Sequence, residues 1–215
     1  HTVALKEDGT VVAWGNNEKN QARVPFHLEK VVAISAGENF TVALKEDGTV
    51  VKWGWDGVPK DLNNVVAISA GKNHVVALKE DGTVVAWGRN FSVKCGQCNV
   101  PVDLDNVKAI SAGSRHTVAM KNDGKVLAWG RYGQGNAPGD LINIKAISAG
   151  GFHTVALRKD GTVVAWGGNG SGQCNVPVDL SNIKQRALKE ANTTKGTEII
   201  IGMGTCGIAA GAEEV

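Results

Sequence analysis

A fifteen-residue segment, HTVALKEDGTVVAWG at residues 1–15, recurs four more times along this chain with few changes. The later copies begin at Phe40, His74, His116 and His153, so successive copies start 39, 34, 42 and 37 residues apart. Self-similarity at a period of about 20 to 50 residues is typical of repeat architectures, in which each unit packs against its neighbours. A residue shared by all copies therefore has a structural role first of all, and a residue that departs from the pattern is a candidate for function.

Each unit contains three short apolar segments, which in the second copy are VVAISAG at 31–37, TVALKE from Thr41 and TVVKWG from Thr49. They are rich in Val and Ala and bounded by Gly or Asp, which predicts strands. Asp-Gly separates the second and third segments and predicts a hairpin, because a tight turn needs positive φ. We interpret the aspartates as turn residues in all five copies: Asp8, Asp47, Asp81, Asp123 and Asp160.

The fold class follows from how these strands are patterned. In the Val-Val-Ala-Trp segment the side chains that point to either face of a strand are all apolar, which indicates a strand covered on both faces. Antiparallel sheets repeated at about 40 residues predict an all-β chain, a partial β-propeller of about five antiparallel blades. A β-solenoid is the main alternative, but it would not require an Asp-Gly hairpin in every repeat. The stretch after each Trp-Gly, which ends near a proline, is a candidate for a fourth, less regular strand.

Composition excludes several function classes. Apolar residues make up 42% of the chain, enough for a core, while the net charge of +2 and the scattered Lys and Glu argue against nucleic acid as a partner. No apolar run approaches the length of a membrane span, and no signal peptide is visible. Because the chain opens with His1 inside a repeat, we expect a fragment of a longer array, and its compartment stays undetermined.

The pattern A-I-S-A-G-x-x-H-T-V-A-L-K-x-D-G-T-V-V-A-W-G, followed by G-Q-x-N-V-P, resembles the regulator of chromosome condensation repeat family over residues 1–183. The short period is most similar to bacterial members, such as the secreted propeller inhibitors of β-lactamases. This resemblance implies a propeller of usually seven blades. It also implies a non-catalytic protein–protein interaction scaffold without a cofactor, in a bacterial setting that is secreted or on the cell surface.

The repeats divide residues 1–183 into one partial and four full units. The partial unit lacks its AISAG strand, so five blades would close only if the C-terminus donated that strand. Otherwise we expect an open fragment of a seven-bladed ring, whose unpaired blade edges favour self-association. The units are 1–30 (partial), 31–64, 65–106, 107–143 and 144–183.

Residues 184–215 do not continue the repeat. The segment 184–191 predicts a helix and 197–203 a strand, and together they resemble the start of a thioredoxin-like [2Fe–2S] ferredoxin domain, in which Cys206 would be a ligand. A cluster needs four ligands, and this tail has one cysteine, so we predict no metal site. Two alternatives remain for the tail. The chain is a truncated or chimeric protein whose tail derives from an iron–sulfur electron-transfer subunit, or 198–204 supplies the missing propeller strand.

Several constellations imitate catalytic or metal sites. The repeat position of His74 holds Phe40 in the second copy, so we predict that it serves ring packing. The repeated Ser, His and Asp residues imitate a triad, but several similar sets indicate structure rather than one nucleophile. Cys95 and Cys98 have the C-x-x-C spacing of zinc or redox sites, yet other copies place Ala22 or Cys174 at the position of Cys98. The pattern therefore indicates that this position requires a small residue.

Antiparallel strands make successive loops of a blade alternate between two faces. The S-A-G-x-x-H loop and the loop after Trp-Gly should therefore open on one face, on which the copies differ most. Aromatic and Arg side chains are frequent interface anchors. The alternative is that these are ordinary loop residues of a diverging repeat. The candidate partner-binding residues are Trp55, Phe40, Arg89, Phe91, Arg115, Arg131, Tyr132 and Phe152.

Overall fold

The computed structural model describes residues 1–55, 57–88, 96–131, 137–139 and 141–178. The predicted helix 184–191, the predicted strand 197–203 and the alternative strand 198–204 lie outside the described residues. So do five of the side chains singled out above: Arg89, Phe91, Cys95, Tyr132 and Cys206.

Fourteen strands in the described residues form five antiparallel sheets, one with two strands and four with three. The first sheet contains β1 (Thr2–Leu5) and β2 (Val11–Trp14), and the second β3 (Val31–Ala36), β4 (Phe40–Lys45) and β5 (Val50–Gly54). The third contains β6 (Val65–Ala70), β7 (His74–Lys79) and β8 (Val84–Gly88), and the fourth β9 (Val107–Ala112), β10 (His116–Lys121) and β11 (Val126–Gly130). The fifth contains β12 (Ile144–Ala149), β13 (His153–Arg158) and β14 (Val163–Gly167).

The sheets are arranged as the blades of an open, partial β-propeller, which confirms the predicted fold class. The first strands of neighbouring three-stranded blades contact one another in the order β3, β6, β9, β12. Apolar clusters fill the spaces between blades, and one of them joins Val76 and Leu78 of the third blade to Ile110 and Trp129 of the fourth. Burial of these aliphatic and aromatic side chains is the main force that holds blade to blade.

Four of the five repeated tryptophans pack between blades, and Trp14 is the exception. Trp53, Trp129 and Trp166 are 8%, 9% and 7% exposed, and each lies in a cluster with residues of the preceding blade. Trp14 belongs to the first described blade and is 54% exposed.

The Asp-Gly pairs form the predicted hairpins, with a longer loop than a two-residue turn. In the second blade the N–H of Lys45 donates to the Thr49 carbonyl (2.9 Å), and Gly48, with φ of 76°, donates to the Lys45 carbonyl. Only the glycine is left-handed, as in hairpin loops that end on an αL residue. Asp47 Oδ1 accepts from Thr49 N (3.0 Å) and Oγ1 (2.5 Å), and these bonds lower the pKa of Asp47 to about 2.

The proposed fourth strand is absent from the described linkers 15–30 and 168–178. Their backbone N–H groups are held by asparagine side chains instead. Ala22 N donates to Asn17 Oδ1 (3.0 Å), and Cys174 N donates to Asn169 Oδ1 (2.8 Å). Local bonds of this kind compete with strand pairing, and this explains why the linkers fold as turns.

A residue in the left-handed region precedes the first strand of every three-stranded blade. Its carbonyl accepts the N–H of a hairpin residue of the same blade, for example Asn64 O from Glu80 N at 2.9 Å. Asparagine tolerates this conformation better than most residues, which accounts for its presence in three of the four positions. The four residues and their φ values are Lys30 (57°), Asn64 (54°), Asn106 (52°) and Asn143 (56°).

In the described residues, no helix is long and apolar enough to cross a membrane.

Candidate functional site

The repeated histidines bond to the neighbouring blade. In three of the four, the ring Nε2 lies at hydrogen-bond distance from a threonine hydroxyl in the middle strand of the next blade. The pairs are His1–Thr41 (2.8 Å), His74–Thr117 (3.1 Å) and His116–Thr154 (3.0 Å). Thr117 Oγ1 in turn donates to the Gln97 carbonyl (2.9 Å), so its single hydrogen is used and the ring Nε2–H must be the donor.

Burial keeps two of these histidines, His74 and His116, neutral. His74 and His116 are both 0% exposed, and desolvation lowers the pKa of His74 to about 3 and that of His116 to about 4. A glycine packs flat against each ring, since a Cβ on Gly71 would lie 2.3 Å from His74 Cε1 and one on Gly113 would lie 2.2 Å from His116 Cε1. This geometry supports ring packing and adds a specific hydrogen bond that the pattern alone did not indicate.

The repeated serines also join blades. Ser35, Ser69 and Ser111 are buried, and each Oγ accepts the N–H of an alanine in the first strand of the next blade. The bonds are Ala70 N to Ser35 Oγ (3.0 Å), Ala112 N to Ser69 Oγ (3.0 Å) and Ala149 N to Ser111 Oγ (2.9 Å).

A Ser-His-Asp site does not form from these repeats. His74 begins β7, whereas Asp81 follows the end of that strand at Lys79. Seven residues of extended chain span about 20 Å, so the two side chains lie at opposite ends of the blade. In the described part of the chain, the repeated Ser, His and Asp side chains therefore hold structure and do not assemble an active site.

The described cysteines lie in environments that suppress reactivity. Cys98 is half-buried, and desolvation raises the pKa of its thiol to about 11. Burial also raises the pKa of the Cys174 thiol. Neither forms a disulfide, and a raised pKa is the opposite of what a reactive thiolate requires. No group of three or more His, Cys, Asp or Glu side chains in the described residues is arranged to hold a metal ion.

In the second, fourth and fifth blades the two variable loops lie on one face, as predicted, and they are hydrogen-bonded to each other. Trp55 N donates to the Asn39 carbonyl (3.1 Å), and Arg131 N donates to the Arg115 carbonyl (2.9 Å). Gly168 N and the Phe152 carbonyl form the same bond in the fifth blade. We call this surface the variable-loop face.

The glycine after each tryptophan allows this close approach. Gly54 and Gly130 have φ of 93° and 120°, and a Cβ on either would lie 2.5 Å from the carbonyl oxygen of the facing loop. Neighbouring blades are also joined along this face, because Glu38 N donates to the Lys72 carbonyl (3.0 Å) and Ser114 N donates to the Gly151 carbonyl (3.2 Å). These bonds join the second blade to the third and the fourth to the fifth, and we call the loops of this face the rim.

Four of the eight candidate side chains are described on this rim. Phe152 is 51% exposed, while Trp55, Arg115 and Arg131 are half-buried. Phe40 is a correction, because its ring occupies the histidine position, packs against Gly37 and is only 3% exposed. The remaining candidates, Arg89, Phe91 and Tyr132, lie outside the described residues.

Lys52 is a further residue of this region that the repeat pattern did not single out. Its Nζ lies 4.3 Å from the Phe40 ring centroid and donates to the Trp55 carbonyl at 2.6 Å. A cation over an aromatic face is attracted by the ring quadrupole. The signal was present in the sequence, since the other four copies have alanine here: Ala13, Ala86, Ala128 and Ala165.

Comparison with solved structures gives similar propellers. Prp20p from Saccharomyces cerevisiae matches at 23% identity and a TM-score of 0.68, over 82% of this chain and 57% of that one. The ectodomain of the receptor kinase CR4 from Physcomitrella patens matches at 26% identity and 0.65, over 80% and 50%. The ectodomain of ACR4 from Arabidopsis thaliana matches at 22% identity and 0.61, over 74% and 62%. The chain thus spans between half and about three fifths of the length of these proteins.

Comparison with curated protein sequences finds no match. The family described as "Regulator of chromosome condensation (RCC1) repeat" matches residues 1–21, 31–58, 65–97, 107–135 and 144–173, which together are more than half of the chain. The iron–sulfur resemblance of residues 184–215 gains no support from these comparisons. The five matched segments coincide with the five blades, and the chain belongs to the RCC1 repeat family.

Proposed function

We propose that this chain is a non-catalytic scaffold that binds a protein partner through the variable-loop face. The observation that carries the proposal is the combination of a fixed rim with variable side chains. The second, fourth and fifth blades share the same backbone bond between their two loops, whereas the side chains at Trp55, Arg115, Arg131 and Phe152 differ from copy to copy. A rigid backbone that presents different side chains loses little conformational entropy on binding.

The absence of a catalytic set in the described blades supports binding over chemistry. Most of the repeated Ser, His and Asp side chains that could act as nucleophile, base or acid already make a structural bond, as Ser111, His116 and Asp160 do. Relatives support the same mode, since the yeast Prp20p structures are described with binding to Gsp1p and histones and with Kap60 bound.

The described charges indicate the chemistry of the partner. The backbones of Arg115 and Arg131 are hydrogen-bonded to each other across two adjacent loops. Their two guanidinium groups therefore extend from the same end of the fourth blade. Guanidinium groups bind carboxylates in a bidentate way, and aromatic anchors such as Trp55 and Phe152 supply apolar contact. We therefore expect an acidic surface with apolar neighbours on the partner.

The experiment is capture of the partner with immobilised chain and its identification by mass spectrometry, followed by affinity measurement for the purified protein. A variant with Trp55→Ala, Arg115→Ala and Phe152→Ala should weaken the affinity by about a hundredfold, because aromatic and Arg anchors dominate interface energies. Affinity that stays within about twofold of the parent would refute the variable-loop face.

A matched control uses three exposed apolar residues outside this face. Phe26, Val102 and Ile142 lie in the blade linkers and are 89%, 99% and 64% exposed. Alanine at these three positions removes comparable exposed surface and should leave the affinity unchanged.

A further inference from the structure

The linker between the second and third blades is the shortest of the five. Four residues lie between its Trp-Gly pair and its proline, whereas the corresponding stretches after the first, third, fourth and fifth blades contain nine, twelve, seven and nine. In the first linker, an asparagine side chain holds the turn through a bond across five positions, from Ala22 N to Asn17 Oδ1. A stretch of four residues cannot contain such a turn, so this linker is held in another way.

Three hydrogen bonds from outside the linker replace the missing turn. They run from Trp55 N to the Asn39 carbonyl (3.1 Å), from Lys52 Nζ to the Trp55 carbonyl (2.6 Å) and from Trp87 Nε1 to the Gly57 carbonyl (3.0 Å). Two of the three bonds act on Trp55, one at its N–H and one at its carbonyl. The Trp55 backbone is therefore fixed on both sides, and its half-buried side chain leaves from a fixed point of the variable-loop face.

The Phe40 ring supports the lysine that makes one of these bonds. Lys52 lies opposite Val42 and Phe40 lies opposite Gly54, so the two side chains are diagonal neighbours on one side of the sheet. The Lys52 Nζ lies 4.3 Å from the Phe40 ring centroid, within the range of a cation–π contact. The ring is itself packed in the core and only 3% exposed, so it is a rigid support for the ammonium.

The fold does not require a lysine at this position. The other four copies have alanine there, and the fourth and fifth blades form the same loop-to-loop bond without the lysine. Partial burial of an ammonium costs free energy unless its new contacts compensate. Lys52 occurs in the one blade that also carries Trp55 and the short linker, so its role is tied to that loop.

We propose that Lys52 is a positioning residue of the variable-loop face, which fixes Trp55 for contact with the partner, and that Phe40 holds the Lys52 ammonium in place. This inference rests on the proposed function, because it takes Trp55 as an anchor of the partner. An anchor that is already fixed loses less conformational entropy on binding than a mobile one. Lys52 thus raises the affinity without contacting the partner itself.

The first measurement needs no partner, since it follows hydrogen exchange at single amides of the whole chain by NMR. Lys52→Met keeps most of the aliphatic stem and removes the ammonium. The exchange rate of the Trp55 amide should rise by about tenfold or more, because a hydrogen bond from a charged donor is lost. Arg131 is the internal control, since its amide makes the same loop-to-loop bond in a blade that has alanine in place of lysine. Its exchange rate should stay unchanged, which separates a local effect from global destabilisation.

Three further variants test the arrangement around the ammonium. Phe40→Leu keeps an apolar core residue and removes the ring, so it should also raise the Trp55 exchange rate. Lys52→Arg should restore much of the protection, because a guanidinium donates hydrogen bonds and stacks on aromatic rings. Lys79→Met is the matched control, since Lys79 is likewise half-buried but ends β7 beside the Asp-Gly hairpin. It should leave the Trp55 exchange rate unchanged.

The second measurement is the affinity for the protein that the immobilised chain captures. Lys52→Met should weaken this affinity by about tenfold, and Trp55→Ala should weaken it at least as much. The double variant should bind no more weakly than Trp55→Ala alone, because Lys52 acts through Trp55. A lysine that contacted the partner directly would instead add its own loss.

An unchanged Trp55 exchange rate in the K52M chain, or an equal rise at Arg131, would overturn the positioning role. So would a K52M chain that binds within about twofold of the parent while W55A binds more weakly. If W55A leaves the affinity unchanged, Trp55 is not an anchor, and that result counts against the variable-loop face and overturns the link from Lys52 to the partner. The exchange rates then still decide whether Lys52 fixes the loop, so the two failures are distinguishable.

Discussion

Phe40 and Val75 face each other in one apolar cluster, at the boundary where other neighbouring blades join a histidine to a threonine. Phe40 is 3% exposed and Val75 is 0% exposed. The two residues have changed together, so that the boundary keeps a matched pair of either the polar or the apolar kind. A mismatched pair would bury a ring N–H or a hydroxyl without a partner, which costs about 1–3 kcal/mol.

Breaking and restoring this match gives the first prediction. Phe40→His should lower the free energy of unfolding by about 1–3 kcal/mol, because the new ring N–H meets only the Val75 side chain. Adding Val75→Thr should recover much of the loss. The new hydroxyl would accept from the histidine and donate to the Gly57 carbonyl, which accepts from Trp87 Nε1 at 3.0 Å, as the Gln97 carbonyl accepts from Trp129.

Urea denaturation of the two single variants and the double variant measures the coupling between positions 40 and 75. The interaction free energy should be favourable by about 1 kcal/mol or more. Additive effects of the two substitutions would show that the pair is not coupled.

The buried histidines give a second prediction, on the pH dependence of stability. Burial lowers the pKa of His74 to about 3 and that of His116 to about 4, below the value of 6.5 in an exposed histidine. The unfolded chain therefore binds protons first as the pH falls. Stability should be constant above about pH 7 and then decrease below pH 6.5, by about 1.4 kcal/mol per pH unit for each histidine.

The control introduces the apolar pair of Phe40 and Val75 at the boundary between the fourth and fifth blades. His116→Phe combined with Thr154→Val removes one of the titrating groups, and the slope between pH 6.5 and 5 should fall by about 1.4 kcal/mol per unit. The hairpin aspartates do not interfere, because hydrogen bonds to threonine lower the pKa of Asp8, Asp47 and Asp81 below 3.8. An unchanged slope in this variant would contradict the assignment.

Gly130 gives a third prediction, on the variable-loop face. It has φ of 120°, and a Cβ there would lie 2.5 Å from the Arg115 carbonyl oxygen. Gly130→Ala should therefore strain the backbone and break the loop-to-loop hydrogen bond, with a loss of about 2–4 kcal/mol in the free energy of unfolding. Thermal denaturation measures the loss.

Gly139 is the matched control, since nothing lies within 4 Å of its Cβ position. Gly139→Ala should change stability by less than about 0.5 kcal/mol. Equal effects at the two positions would argue that the close approach at Gly130 does not matter.

Much of the fold could be predicted from the sequence because the same pattern of strands and turns occurs in five copies. The Asp47-Gly48 hairpin follows from turn chemistry, and the shared orientation of the Asn39 and Trp55 loops follows from antiparallel alternation. The linkers could not be predicted. Their folding depends on single side-chain bonds such as Cys174 N to Asn169 Oδ1, which no periodic pattern reveals.

The candidate site was harder to predict than the fold, because exposure depends on packing rather than on residue type. Phe40 departs from the repeat as Trp55 does, yet one ring is buried and the other lies on the rim. The partner of Phe40, Val75, also departs from the repeat, and comparing each copy with the next would have revealed the pair. Departures that occur together in neighbouring copies indicate packing, and isolated departures are better candidates for function.

The arginines of the fourth blade give the last prediction, on partner binding. Arg115→Glu with Arg131→Glu should weaken the proposed complex by more than tenfold and reduce its dependence on salt, because charge reversal places carboxylates opposite an acidic partner. The substitutions leave the backbone bond from Arg131 N to the Arg115 carbonyl in place, so the fold should persist. Titration calorimetry at low and high salt measures both effects.

Lys6 and Lys159 provide a matched charge-reversal pair, since both are exposed and lie in Asp-Gly hairpins, at the end of the blades opposite these loops. Reversing both changes the net charge by the same amount as reversing the two arginines, so it controls for long-range attraction. If the lysine pair weakened binding as much as the arginine pair, the effect would come from net charge alone. Selective loss with the arginine pair would assign the contact to the fourth-blade loops, because only local complementarity distinguishes the two variants.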